Sequence, residues 1–360
     1  MAQVQNSIMA KPKPAPLPAD STVGDYRVVR ALASGGSSIV YLAASADGQA
    51  VLLKEYLPGA LVHRLPGDRM PLVRPGRLER MRIGLHGFLD GARVLAQMQH
   101  PALASVLDCV SAHETVYLVL RHLQGRTLQE AVVAARLRTN AAQAGGTPRA
   151  CLSEATILGL ALDLLNAISV VHEAGLLHLD IKPANLLITP QGQLVLLDFD
   201  AVQPIPGHES VAVMASRDER SRPSAAGNTS TYTPAYTPGF SAPETLANAA
   251  SLTPRTDLYA VGACLYACLL GHPPTHCLAR TQDDPIPASL KALQSVYSAG
   301  LLHVVESALS IAPSQRPSSA TAMADLLASA AQSAALSVAR PAGPTLHERP
   351  DDPSSRLHPH

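Results

Sequence analysis

Tryptophan is absent from this chain of 360 residues, phenylalanine occurs three times and tyrosine nine, so aromatics make up only 3%. Alanine, leucine and valine must therefore fill the interior, and 47% hydrophobic residues supply enough apolar side chain for a large core rather than a disordered polymer. Charge is also scarce: 16% of residues are charged, and 28 Lys+Arg balance 28 Asp+Glu. A neutral chain with a pI near 7.2 lacks the basic excess on which phosphate-backbone or anionic-membrane binding draws, so no nucleic-acid partner is expected. The five cysteines, Cys109, Cys151, Cys264, Cys268 and Cys277, form no CxxC pair and make a poor disulfide framework. That usage predicts a reducing compartment and a cytoplasmic location. Cys264 and Cys268 stand one helical turn apart, but without a His or Asp cluster they read as buried thiols, not a metal site.

Long hydrophobic runs are missing as well. A bilayer span needs about 20 apolar residues, and the best candidate, Leu258 to Leu270, stops at Gly271-His272-Pro273-Pro274, so it reads as a buried helix and no membrane span is expected. The amino terminus has no signal-peptide core, and Pro12, Pro14, Pro16 and Pro18 predict an extended, disordered tail over residues 1–22. The Pro-, Ser- and His-rich carboxyl end predicts a second tail over 336–360.

Between the tails the pattern is α+β. Tyr26 to Tyr56 alternates short β-branched and leucine-rich runs with a Gly/Ser turn and an Asp47-Gly48 turn, which predicts an antiparallel meander. A helix follows around Arg80 to Gln99, with Leu85, Phe88, Leu89, Ala92, Leu95 and Ala96 at helical spacings, and a strand pair covers Ala104 to Leu120. After Gly125 long helices take over, notably Ser153 to Ala174, apolar around most of its circumference. The expected layout is a small β-rich lobe over 23–123 and a larger helical lobe over 124–335.

The strongest signal is His178-Leu179-Asp180-Ile181-Lys182-Pro183-Ala184-Asn185, followed after a predicted hairpin by Asp198-Phe199-Asp200. Loop, hairpin and acidic turn bring Asp180, Asn185 and Asp198 together: a base for a hydroxyl proton and two hard oxygen ligands for Mg²⁺, the set that phosphoryl transfer requires. With Lys54 in Val51-Leu52-Leu53-Lys54, Ala242-Pro243-Glu244, Asp257 and Arg316 following in order, the chain resembles the protein kinases from about Tyr26 to Ala330, and within them a bacterial branch of eukaryotic-like Ser/Thr kinases.

The resemblance implies a bilobal kinase fold, ATP and Mg²⁺ as cofactors, and Ser/Thr-bearing protein substrates. Asp180 would accept the hydroxyl proton, Lys182 would steady the transferring group, Asn185 and Asp198 would hold the metal, and Lys54 would contact the α/β-phosphates. Leu32, Ala33, Gly35, Gly36 and Val40 would form the phosphate loop and adenine roof, Leu187 the floor, and Leu120, Arg121 and Leu123 the hinge whose backbone meets adenine. Lys182 and Thr237 match the Ser/Thr pattern, Asp257 the buried aspartate of the central helix, and Arg316 the partner of Glu244.

Five features depart from the family pattern. Only the middle glycine of the phosphate loop, Gly35, is kept, with Ala33 and Ser38 at the outer positions; small residues still admit phosphates. Gly91 stands where the helix glutamate partner of Lys54 is expected, and Asp90 beside it is turned about 100° around the helix. Leu179 replaces the arginine of H-R-D, which argues against switching by an activation-loop phosphate. Asp200 replaces the glycine of D-F-G, limiting the freedom of that turn, and Leu52 replaces a small alanine over adenine. The long segment from Asp198 to Glu244 reads as a solvated spacer, with self-phosphorylation at Ser230, Thr231 or Thr233 as the second reading. The insert from Leu57 to Arg80, with five arginines, reads as a surface loop rather than a binding patch.

These departures leave two further readings beside the Ser/Thr kinase. One is a pseudokinase, a nucleotide-binding or scaffold module whose Gly91, Asp200 and eroded loop reflect lost catalysis. The other is a small-molecule phosphotransferase, which does not account for Ala242-Pro243-Glu244 together with Asp257 and Arg316.

Overall fold

The computed structural model describes residues 13–141, 150–207, 236–247, 251–280 and 284–338. The amino-terminal lobe is built on a six-stranded antiparallel sheet of order β1-β2-β3-β4-β8-β7. Its strands are β1 (Thr22–Val23), β2 (Tyr26–Ser34), β3 (Ser38–Ala44), β4 (Ala50–Tyr56), β7 (Val106–Ala112) and β8 (Thr115–Arg121). The Asp47-Gly48 turn closes β3 on β4, with Gly48 at φ 83° in the left-handed region that glycine enters freely. A small hairpin, β5 (Val62–His63) with β6 (Leu72–Val73), lies in the arginine-bearing insert.

One helix, α1 (Leu78–Gln97), covers one face of the sheet and buries Met81, Phe88, Ala92 and Leu95. Phe88 meets Tyr56 of β4 with ring centroids 5.4 Å apart. The approach requires Gly84, since a Cβ there would lie 1.8 Å from the Tyr56 hydroxyl.

The opposite face of the sheet is also covered, which the sequence reading did not anticipate. Side chains alternate along a strand, so Leu53 and Glu55 of β4 point away from α1, as do Tyr41 of β3 and Tyr117 of β8, paired with Leu53 and Glu55 respectively. Glu55 is fully buried and accepts from both nitrogens of a forked Arg64 at 2.6 and 2.8 Å, and from the hydroxyls of Tyr41 and Tyr117 at 2.6 and 2.7 Å. The bidentate arrangement satisfies the carboxylate on every side, the condition under which a charge tolerates burial. Burial and the Glu55 charge push both phenols well above their ordinary pKa.

The segment from Lys13 to Pro18 lies over this cluster. Ala15 exchanges two hydrogen bonds with Arg64, its N–H to Arg64 O at 3.0 Å and its carbonyl from Arg64 Nε at 2.7 Å. Leu17 is buried and its N–H donates to the Tyr41 hydroxyl at 3.1 Å. From Lys13 on, the proline run is therefore a strap packed on the sheet and not a free tail. Its contacts are mostly backbone hydrogen bonds, which leave no trace in composition. Likewise Arg64, read as part of a surface loop, is buried as the counter-ion of Glu55.

The second lobe is helical: α2 (Leu128–Ala141), α3 (Glu154–Glu173), α4 (Pro254–Leu270), α5 (Ile286–Lys291), α6 (Ala299–Ala308) and α7 (Ala320–Val338). Ser153 caps α3 by accepting from Thr156 N–H at 3.2 Å. Thr253 and Thr256 form a capping box on α4, which ends at Gly271 in the left-handed region, φ 79°. Helix α3 is long and apolar enough by composition to cross a bilayer, but its buried face packs on α4 and α7 in the lobe's core. Small residues replace the missing aromatics at the closest approaches: a Cβ on Gly262 would meet Ala308 Cβ at 2.7 Å, and one on Gly300 would meet Ala330 Cβ at 2.6 Å. Helix α7 runs to Val338, past the boundary expected at 335. Cys264 and Cys268 are buried in α4, Cys277 is buried nearby, Cys109 is exposed on β7, and Cys151 is half-buried just before α3. Ser230, Thr231 and Thr233 lie outside the described residues.

Candidate active site

Between the lobes, β11 (Leu186–Ile188) and β12 (Leu194–Leu196) form the predicted hairpin, and β9 (Arg126–Thr127) pairs with β11. The segment His178 to Asn185 precedes this hairpin, and Asp198 follows it. The short pairing of β10 (Leu176–Leu177) with β13 (Gln203–Pro204) closes the loop system behind them.

The fixed point is Asp257 of α4, 1% exposed. Its carboxylate accepts from the N–H groups of His178 and Leu179, each at 2.8 Å, and contacts His172 Nε2 at 2.9 Å. Burial opposes its charge, but these hydrogen bonds and the neighbouring imidazoles hold its pKa below the ordinary range. Leu179 needs such an anchor because its φ of 63° is one that a branched side chain avoids.

The strained turn presents Asp180 to the cleft. Lys182 Nζ donates to both of its oxygens at 2.9 and 2.7 Å, and Asn185 Nδ2 donates to its carbonyl and its Oδ2, each at 2.9 Å. Thr237 Oγ1, from the far end of the acidic segment, donates to Oδ1 at 3.3 Å. Farther along, Glu244 is bound by Arg316 at 2.6 and 3.0 Å, a buried fork-to-fork pair that fixes the end of that segment. Asp180, Lys182, Asn185 and Thr237 thus converge.

Lys54 enters from β4. Its ammonium lies 2.5 Å from Asp198 Oδ1 and 2.7 Å from Asp200 Oδ1, with a side chain only 7% exposed. Burial alone disfavours the ammonium, but the two carboxylates outweigh it and hold the Lys54 pKa above the ordinary lysine value. Burial also opposes the Asp198 charge, yet Lys54 depresses the Asp198 pKa. Burial and the neighbouring Asp198 raise that of Asp200, against the pull of Lys54.

Asp90 does not stand in for the missing helix glutamate. It points to solvent and pairs with Arg93 at 2.9 Å, both side chains more than half exposed. Gly91 faces the acidic turn, where a Cβ would meet Phe199 O at 3.4 Å. The carboxylates that approach Lys54 are Asp198, expected only as a metal ligand, and Asp200, which sequence reasoning treated only as a lost glycine. A signal was present: a carboxylate gained in the acidic turn of a chain that had lost one on the helix. The turn does not place Asp200 in the left-handed region, since it is not among the non-glycine residues of positive φ.

The expected phosphate loop is the β2–β3 turn, closed by Gly35 N–H donating to Ser38 O at 2.8 Å. Ala33 pairs with Val40 across it, and Leu32 is exposed at the end of β2. Val40 lies opposite Lys54, and Leu52 opposite Leu120, so strand alternation puts all four on the cleft side of the sheet. Leu187 sits on β11 below. Arg121 ends β8 and Leu123 follows it, and the Arg121 N–H is engaged by Ser105 O at 3.0 Å. The space among Lys54, Gly91, Leu120 and Phe199 measures only about 10 Å³, room for about one water. A cavity of about 670 Å³ opens elsewhere on the helical lobe, beside Gly125, Leu152, Thr156 and Pro190, but contains none of these reactive groups. Chemistry, not volume, locates the site.

A lysine, a supported carboxylate and an Asn/Asp oxygen pair can bind polyphosphate, orient a hydroxyl and hold a hard cation. One carboxylate and one amide oxygen, with phosphates completing the shell, suit Mg²⁺. Comparison with known proteins covers Asp180, Lys182, Asn185 and Asp198. The family model described as "Protein kinase domain" matches residues 79–327. The serine/threonine-protein kinase PknL of Mycobacterium tuberculosis is 28% identical over 250 residues, 69% of this chain and 50% of that protein. The serine/threonine-protein kinase pkn2 of Myxococcus xanthus is 28% identical over 318 residues, 85% of this chain and 32% of that protein. The chain thus spans half or less of the length of these relatives. Among solved structures, PpkA-294 in its apo form is similar with TM-score 0.64 and 29% identity, over 87% of this chain and 99% of that one. The kinase domain of Mycobacterium tuberculosis PknI, at TM-score 0.58 and 22% identity, shares the fold.

Proposed function

The chain belongs to the protein kinase family, and from that membership we propose that it transfers the γ-phosphoryl group of ATP to serine or threonine hydroxyls of protein substrates. The observation that carries this reading is the meeting of Lys54, Asp180, Lys182, Asn185 and Asp198, drawn from both lobes, around one cleft. Asp180 is the base: Lys182, Asn185 and Thr237 fix its carboxylate so that one oxygen can accept the acceptor hydroxyl's proton as the oxygen attacks phosphorus. Lys182, within 2.9 Å of both Asp180 oxygens, also lies where it would balance charge on the phosphoryl oxygens in flight. Asn185 and Asp198 would hold Mg²⁺, which when bound neutralises charge on the phosphates. Lys54 binds the phosphates, and Val40 and Leu187 bracket the adenine. Lys182 and Thr237 beside the base support Ser/Thr acceptors, and the activation segment's Ser230, Thr231 and Thr233 are candidates for self-phosphorylation.

The test is incorporation of labelled phosphate from Mg-ATP into a generic basic protein by the purified full chain. We expect transfer by the wild type and a loss of about 10²–10⁴-fold in Asp180→Asn, the range of a general base. Mg-ATP binding without any transfer would instead establish the second reading, a nucleotide-binding module, which the absence of a helix carboxylate at Gly91 favours.

A further inference from the structure

A buried ammonium requires a counter-ion, and in this chain the helix does not provide one. Gly91 has no side chain, and Asp90 is directed outward to Arg93. Asp198 reaches Lys54, but on the kinase reading it also serves the metal, and one carboxylate divided between a divalent cation and an ammonium restrains each less firmly. Asp200 is not one of the metal ligands that the kinase reading names. It lies 2.7 Å from Lys54 Nζ with a side chain 20% exposed, and it accepts from the hydroxyls of Ser37 and Ser38 in the phosphate loop at 3.4 and 3.5 Å. Its backbone N–H donates to Asp198 Oδ1 at 3.1 Å, so the same residue also orients the proposed metal ligand.

We infer that Asp200 is a positioning residue that replaces the missing helix carboxylate, holding Lys54 and tying the phosphate loop and the acidic turn to it. The inference rests on the kinase reading for the role of Lys54 toward phosphates, while its geometry is independent of whether transfer occurs. Two departures from the family pattern become one relocation: the carboxylate has left the helix and entered the turn. The helix then needs no side chain at 91, and the close approach of Gly91 to Phe199 O becomes tolerable. The two loop serines, of which Ser38 stands where a glycine is expected, gain a function as donors to the relocated carboxylate.

The test uses the full chain with Asp200→Asn, Asp200→Gly, and Asp200→Gly combined with Gly91→Glu, each checked for an intact melting transition. Mg-ATP affinity is read by calorimetry, and kcat and KM by phosphate transfer. Both single variants should weaken Mg-ATP binding and lower kcat by on the order of 10- to 100-fold, the scale of a misplaced reacting group, with KM for the protein substrate unchanged. Returning a carboxylate to the helix should restore most of the loss, a rescue that a merely structural role of Asp200 would not show. Unchanged affinity and kcat in Asp200→Gly would overturn the inference. Tighter nucleotide binding in both single variants would also overturn it, because Asp200 would then be competing with phosphates for Lys54. A wild type that binds Mg-ATP but transfers nothing defeats the kinase reading alone, since the affinity series still decides the role of Asp200. A wild type that does not bind Mg-ATP defeats both.

Discussion

Leu179 is held at φ 63° while its side chain is 6% exposed, so backbone strain and burial oppose each other at a single residue. The strain costs roughly 1–2 kcal/mol, whereas deleting a buried leucine side chain costs about 2–5 kcal/mol. Burial wins, and Leu179→Gly should destabilise the protein by about 1–3 kcal/mol in urea denaturation even though glycine suits the backbone better. Stability equal to or above the wild type would show that the strain dominates. The same residue illustrates what sequence conveys at this scale. Asp180, Asn185 and Asp198 were legible because three oxygen-bearing residues at fixed spacings have few other uses. The left-handed turn at Leu179 was not, because Asp257, far along the chain, imposes it through two backbone N–H groups.

Among the elements, the central strands β3, β4 and β8 of the small lobe's sheet are covered on both faces. Helix α1 covers one side, and the strap with the β5–β6 insert covers the other, over a cluster in which Arg64 is 0% exposed. Removing one member of such a buried pair leaves an uncompensated charge, which costs about 3–5 kcal/mol. Arg64→Ala should therefore lower unfolding stability by that amount, while Arg27→Ala, whose pair with Asp20 is largely solvent-exposed, should change it by no more than about 1 kcal/mol. Equal effects in parallel denaturation curves would mean that the Glu55 cluster is hydrated. Strands and helices of both lobes were legible from periods of two and three to four residues. The strap was not, since an extended segment joined by backbone hydrogen bonds and one buried leucine has no period, and five arginines in an insert do not announce which one turns inward. The family match begins at residue 79, within α1, so the strands that carry Lys54 lie outside it.

For the whole molecule, one apolar cluster fills the space around the sheet and α1, and another fills the helical lobe, with Leu95, Met98 and Leu103 belonging to the second although they precede its helices. A ligand gripped by Lys54 from one lobe and by Asn185 and Asp198 from the other binds only when both are folded. Mg-ATP at a hundred times its Kd should then add about 2.7 kcal/mol to stability, seen as a rise in melting temperature that disappears in Lys54→Met. A rise of equal size in that variant would place the nucleotide elsewhere.

The distribution of thiols extends this to measurement. Three of the five cysteines are buried, which leaves exposed Cys109 on the sheet and half-buried Cys151 at the entrance to α3, one in each lobe. Burial raises both thiol pKa values, and Asp108 adds to the effect at Cys109, so mildly alkaline labelling would favour their thiolates. With a donor and an acceptor dye on these two side chains, the native chain serves as its own optical ruler between the lobes, without introducing a single mutation.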